Sequence, residues 1–216
     1  LVYSSPLNQE TNPGVVNNGL AEDLRHVAAI IRSNVGARFF HVATGGFDTH
    51  SNQEDGLYHS YLLNRVSEAI GAFWGDMKQS GITLPGGYTG YETDEMASRV
   101  IIVTLSEFGR TNRQNAAGAN AAGTDHGRSS PQFVIGTTVQ GGVHGTYPSL
   151  EDLEDNNDLP MSFDFRDFYG TILERWLNVS ASDIGPGIGK LFASTPVPDE
   201  YGDTYTAYTP IPFLLP

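Results

Sequence analysis

One run of seven residues, 99–105 (RVIIVTL), limits the fold more than any other stretch of this chain. Its β-branched and aliphatic residues follow one another without the polar alternation of a half-exposed strand. The pattern therefore predicts a strand buried on both faces, as at the centre of a parallel sheet. A polar segment, Ser106-Glu107-Phe108-Gly109-Arg110-Thr111, follows at once. A second short strand is predicted over 38–43 (RFFHVA), running into Thr44-Gly45-Gly46-Phe47-Asp48-Thr49-His50, and a third over 133–136. Helices separate them. Leu24, Val27, Ala28, Ile31 and Val35 recur at helical spacing, with Gly36 as a stop. Leu62, Leu63, Val66, Ala69, Ile70, Phe73 and Met77 form one apolar face over 59–78. Residues 164–177 (DFRDFYGTILERWL) read as a third amphipathic helix, capped by Asp164 or Asp167. Helix, strand and glycine-rich polar loop in that order is α/β grammar.

The remaining segments are expected to be irregular. Residues 1–19 form a polar lead-in, 82–97 and 112–131 are loops, and 181–216, rich in Pro, Gly, Thr and Tyr, wrap the surface or reach a neighbour. Three or four strands are too few for a complete central sheet. Open sheet edges would invite a partner.

Composition excludes several functions. The net charge of -13, from 25 acids against 12 bases, repels nucleic acid and anionic membranes. No Cys is present, which removes disulfides, thiolate metal sites and cysteine nucleophiles, and fits an oxidising compartment. No apolar run is long enough for a transmembrane segment. The opening residues LVYSSPLNQE lack the order of a signal peptide, so the chain is expected to begin downstream of processing, or never to have carried one. Gly-x-Ser-x-Gly, phosphate-loop and dinucleotide fingerprints are absent. No single hydroxyl among Thr44, Thr49, Ser106, Thr124 and Ser129 stands out as a nucleophile.

Three polar clusters sit beside predicted strands: Asp48 with His50, Glu107 with Arg110, and Asp125 with His126. Carboxylate oxygen and imidazole nitrogen suit a hard or borderline divalent cation at about 2 Å. Asp48 and His50 are two residues apart, so an extended loop would send both to one side. Asp125 and His126 are adjacent, and the turn framed by Gly123 and Gly127 could bring both inward or let them serve two ions. Glu107 could be a ligand, an acceptor for a liganding histidine or a partner of Arg110, and Arg110 could clamp an anionic oxygen or fix its loop. Each cluster also has a purely structural reading, as turn caps and surface histidines.

The segments GGFDTHSNQ (45–53), TLSEFGRT (104–111), GTDHG (123–127), GGVHGTYPSL (141–150) and DFRDFYGTILERWL (164–177) together resemble the bacterial domain-of-unknown-function family numbered 1501. The combination, spread over roughly residues 20–180, is specific where any single motif is not. The resemblance implies an exported protein, periplasmic, cell-surface or extracellular. It also implies membership of the alkaline phosphatase and sulfatase superfamily, with an alkaline-phosphatase-like, mainly parallel sheet flanked by helices. Asp125 and His126 would then be a metal pair of that superfamily, and Asp48 and His50 another, though more tightly spaced than the phosphatase pattern. Glu107 lies in the family's own Ser-Glu-Phe-Gly-Arg signature. Members of the family carry a long N-terminal half with a further metal carboxylate and the nucleophile region, so this chain is expected to be a C-terminal part. A companion chain, the missing half or a second copy in a homo-oligomer would complete it.

The leading expectation is a divalent-metal-dependent hydrolase of phosphate or sulfate esters. Asp48, His50, Asp125 and His126 would hold zinc, manganese, calcium or magnesium, with Glu107 beside the ion and Arg110 facing a substrate oxyanion. The rival is a non-catalytic, exported structural or assembly protein that keeps the scaffold.

Overall fold

The computed structural model describes residues 19–53, 58–79, 95–115, 123–154, 157–184 and 208–214. In chain order the elements are α1 (Gly19–Ser33), α2 (Tyr58–Met77), α3 (Glu95–Ser98), β1 (Ile102–Val103), β2 (Gly109–Gln114), β3 (Thr124–Gly127), β4 (Val134–Ile135), α4 (Phe165–Arg175) and α5 (Ala181–Ile184). The chain divides into two units, Leu1–Ile101 with Arg113–Asp125, and Ile102–Asn112 with His126–Pro216.

The first unit is built on α1 packed against α2. Helical periodicity puts Leu20, Ala21, Leu24, Val27 and Ala28 on one face of α1, and all five are buried. From α2, Leu62, Ala69, Phe73 and Met77 are buried, and Met96 and Ala97 of α3 add to the same core. An ion pair crosses the helix pair near its end. Arg32 Nη1 donates to Asp76 Oδ2 at 2.9 Å, Nη2 donates to the Asp76 carbonyl at 3.1 Å, and Nη2 also meets Oδ1. Asp76 is only 5% exposed, so Arg32 is the counter-charge that lets a carboxylate reside there. Past Ser33 the helix stops at two left-handed residues, Asn34 (φ 50°) and Gly36 (φ 84°).

Residues 38–43 do not form the strand that the sequence suggests. They carry no strand pairing, and Phe39 is 77% exposed. A β-rich composition records a readiness to extend, but a strand exists only when a second strand satisfies its backbone groups.

The run at 99–105 yields only two strand residues, Ile102 and Val103, which open the second unit. β1 pairs with β4 antiparallel, with Ile102 opposite Ile135 and Val103 opposite Val134. The other sheet is the pair β2–β3. The architecture is thus α/β with small antiparallel sheets, and the expected alkaline-phosphatase-like, mainly parallel sheet is overturned. The label of alkaline-phosphatase-like hydrolase, which leaned on that sheet, falls with it. Ile102 and Val103 are half-buried, as suits a short two-stranded ladder. None of 99–105 is buried: Arg99 and Leu105 are exposed and 100–104 half-buried, so the continuous apolar run fixed neither burial on both faces nor strand direction.

The helix at 164–177 forms as α4. Asp164 is its N-cap, with Oδ1 accepting from the Arg166 backbone N at 2.8 Å. The last described segment, 208–214, folds back on α4. Ile211 N donates to Thr171 Oγ1 at 2.8 Å, Thr209 N donates to Asp167 Oδ1 at 2.9 Å, and Leu214 bridges to Val139. Ile211, Phe213 and Leu214 are buried. Tyr208 donates to Glu174 Oε2 at 2.8 Å, and partial burial, then that carboxylate, push its phenol up to about 12. Of the two expected loops, 82–94 and 116–122 lie outside the described residues, whereas 95–98 are helical as α3, and 112–114 and 124–127 belong to β2 and β3.

Candidate metal centre

The loop after residue 43 is pinned by its backbone. Thr49 N donates to the Phe47 carbonyl at 2.9 Å, which folds the chain tightly around Asp48. Thr49 is buried, so its two neighbours, Asp48 and His50, are sent to the exposed side together. β3 then holds the loop from beyond. Thr124 N donates to the Thr49 carbonyl at 3.3 Å, and Thr124 Oγ1 donates to Gln53 Oε1 at 3.1 Å. Gly123 makes this approach feasible. A Cβ there would lie 2.2 Å from the carbonyl carbon of His50 and 2.3 Å from its oxygen, distances no side chain tolerates.

Around His50 the polar groups converge. Its Nε2 lies 2.9 Å from Asp48 Oδ1, and its Nδ1 lies 3.0 Å from Asp125 Oδ1. Asn115, at the end of β2, donates from Nδ2 to the same Asp125 oxygen at 3.2 Å and to the His50 carbonyl at 2.6 Å. The side chains of Asp48, His50 and Asp125 are 57%, 48% and 61% exposed, so a ligand from solvent can reach all three.

His126, the next residue along β3, is fixed by an aromatic face. Its ring stacks on Phe108 with centroids 3.9 Å apart and planes 7° from parallel. The Arg110 guanidinium carbon stands 5.1 Å from the centroid of the same Phe108 ring, a cation–π distance. Ser106 Oγ donates to the Phe108 carbonyl at 2.7 Å and shapes the turn that presents the phenyl ring. β3 passes close to β2 here, since a Cβ on Gly127 would come within 2.6 Å of the Arg110 carbonyl carbon.

Asp48, His50 and His126 each offer a ligand atom, and these atoms all lie within 4.8 Å of one another. Two imidazoles and one carboxylate in such a group could hold a divalent cation of unspecified identity, which makes these three residues a candidate site. Asp125 is outside this group of three and faces His50 Nδ1 instead. Glu107 is exposed and also outside it. His144 is engaged elsewhere, with Nε2 at 2.9 Å from the Gln140 carbonyl and its ring edge-on to Phe213.

Two residues at the centre were not anticipated. Phe108 lies inside the Ser-Glu-Phe-Gly-Arg segment, and its place between two site residues in sequence was the available clue. Asn115 carried no signal, because its importance depends on the pairing of β2 with β3.

Fold and site thus describe an α/β chain with a candidate two-histidine, one-carboxylate cation site. The model of a family described as "Protein of unknown function (DUF1501)" matches residues 24–195, and the chain belongs to that family. Neither the curated proteins nor the solved structures contain a match to it. Among the described residues, no helix is long and apolar enough to cross a membrane.

Proposed function

We propose that this chain binds one divalent cation through Asp48, His50 and His126 and uses it on a ligand that enters from solvent. The observation that carries the reading is the number of protein ligands combined with their exposure. Structural metal sites are closed by four protein ligands, whereas sites that act on a ligand keep a position open. A cation in this position supplies Lewis acidity to a bound oxygen. The protein's own groups hold the ion, and Phe108 keeps the His126 ring from turning away. Hydrolysis of a phosphate or sulfate ester is the finer form of this reading. It is supported by Arg110, a planar cation suited to an anionic oxygen, and by the open positions of the ion. It owes nothing to an alkaline-phosphatase scaffold.

Metal content of protein purified without chelator, followed by zinc titration, tests the binding. About one equivalent is expected in the wild type, with at least a tenfold loss of affinity in both Asp48→Ala and His126→Ala. A wild type that takes up no zinc, manganese, calcium or magnesium would overturn the proposal. Loaded protein that turns over no ester in a broad panel would leave the cation and remove the hydrolase, favouring the structural or assembly role.

An exported location belongs to the same proposal, supported by the acidic, cysteine-free composition. So does a companion chain or second copy, supported by the exposed apolar side chains of Val35 and Phe39. Sedimentation that gives a monomer at every concentration would remove the homo-oligomer.

A further inference from the structure

His50 stands between two carboxylates, and the two are not equivalent. Asp48 Oδ1 faces Nε2 and Asp125 Oδ1 faces Nδ1, at almost equal distances of 2.9 and 3.0 Å. A neutral imidazole has one N–H and one lone pair, so only one of these contacts can be a conventional hydrogen bond. The surroundings decide which. Asp48 belongs with His126 to the set of ligand atoms gathered about His50, and Asp125 does not. A proton on Nε2 would occupy the direction that a cation shared with Asp48 requires.

Asp125 is held in a different way. It sits on β3, and its Oδ1 accepts from Asn115 Nδ2 at 3.2 Å as well as lying against His50. The same Asn115 amide nitrogen donates to the carbonyl of His50 itself at 2.6 Å. The Asn115 backbone N donates to the Gly123 carbonyl at 3.0 Å, which ties this residue to the end of β3 that carries Asp125. Both protons of the side-chain amide are thereby directed, one at the main chain of His50 and one at the carboxylate beside its ring. The lack of a Cβ at Gly123 is what allows the His50 backbone to come this close to the start of β3.

We propose that Asn115 and Asp125 are a positioning pair that keeps the proton of His50 on Nδ1 and presents the Nε2 lone pair to the cation. Asp125 acts through His50 and is not itself a ligand. Carboxylates that accept from the distal N–H of a liganding histidine fix its ring and strengthen it as a donor, and their loss costs about 10–100-fold in metal affinity. The inference rests on the cation site proposed above, but its first readout needs no cation.

Long-range proton–nitrogen correlation spectra of histidine-labelled, metal-free protein in weakly alkaline buffer report the tautomer of each imidazole. His50 is expected as the Nδ1–H form in the wild type, and Asp125→Ala and Asn115→Ala are expected to shift it toward the ordinary Nε2–H form. Asp125→Asn retains an acceptor oxygen and is expected to retain the Nδ1–H form. Zinc titration should then show an affinity loss of about 10–100-fold for Asp125→Ala and Asn115→Ala, with substantial recovery in Asp125→Asn. An Nε2–H His50 in the wild type, or a tautomer indifferent to Asp125→Ala in a variant with a wild-type amide spectrum, would overturn the pairing. Asp125→Asn as damaging to zinc affinity as Asp125→Ala would also overturn it, making Asp125 a ligand. If the wild type binds no zinc, the cation reading fails, and the tautomer measurement still decides whether the pair orients His50.

Discussion

The helix pair α1–α2 and the strand pair β2–β3 are held together by opposite means. The helices meet through buried apolar side chains, and the buried ion pair of Arg32 with Asp76 ties them together. The strands expose most of their side chains and approach their surroundings through glycines, at Gly123 against His50 and Gly127 against Arg110. Apolar burial makes a stable region in which a charge is costly and chemically idle. Close backbone packing leaves the side chains free to face solvent, where a cation and its ligand can reach them. Stability and the proposed cation site thus fall in different parts of the chain, and substitutions should separate them.

The largest effect is expected from Asp76→Ala. It leaves Arg32 as a mostly buried charge without its carboxylate and should lower unfolding free energy by about 3 kcal/mol. Zinc affinity of the folded fraction should stay within a factor of two, and a matching loss of affinity would break the separation. Gly123→Ala is next. The added methyl forces the His50 backbone off β3, so about 1–3 kcal/mol of stability should be lost. Unlike Asp76→Ala, it should also weaken zinc binding by more than tenfold. Denaturant melts and calorimetric titration on the same samples check both. Phe108→Ala has the smallest expected consequence. Loss of the ring stacked on His126 should cost about 0.5–1.5 kcal/mol of cation affinity and little stability, since the contact lies in the exposed region. A large fall in melting temperature would instead make Phe108 a core residue.

The same contrast explains what could be read in the sequence. Apolar periodicity located α2 to within a residue, 59–78 expected against Tyr58–Met77, and Asp164 announced the start of α4. Periodicity works there because a helix makes its own hydrogen bonds and needs a neighbour only for its apolar face. Strands depend on partners. The run RVIIVTL kept two strand residues and 38–43 kept none, while GRTNRQ, without an apolar face, became β2. The chemistry of the site was legible at Asp48 and His50, whose spacing across one inward residue puts both on one side. His126 was legible by residue type. The place of Asp125 against His50 Nδ1, and the amide of Asn115 beneath both, arise from the pairing of β2 with β3 and have no linear signature.

X-ray absorption at the zinc edge of protein loaded with one equivalent tests the central claim most directly. Two imidazole nitrogens and at least one oxygen at about 2.0–2.1 Å are expected, with one imidazole signature lost in His126→Ala. A spectrum with oxygen neighbours alone, identical in His126→Ala, would contradict the assignment of Asp48, His50 and His126 as the cation centre.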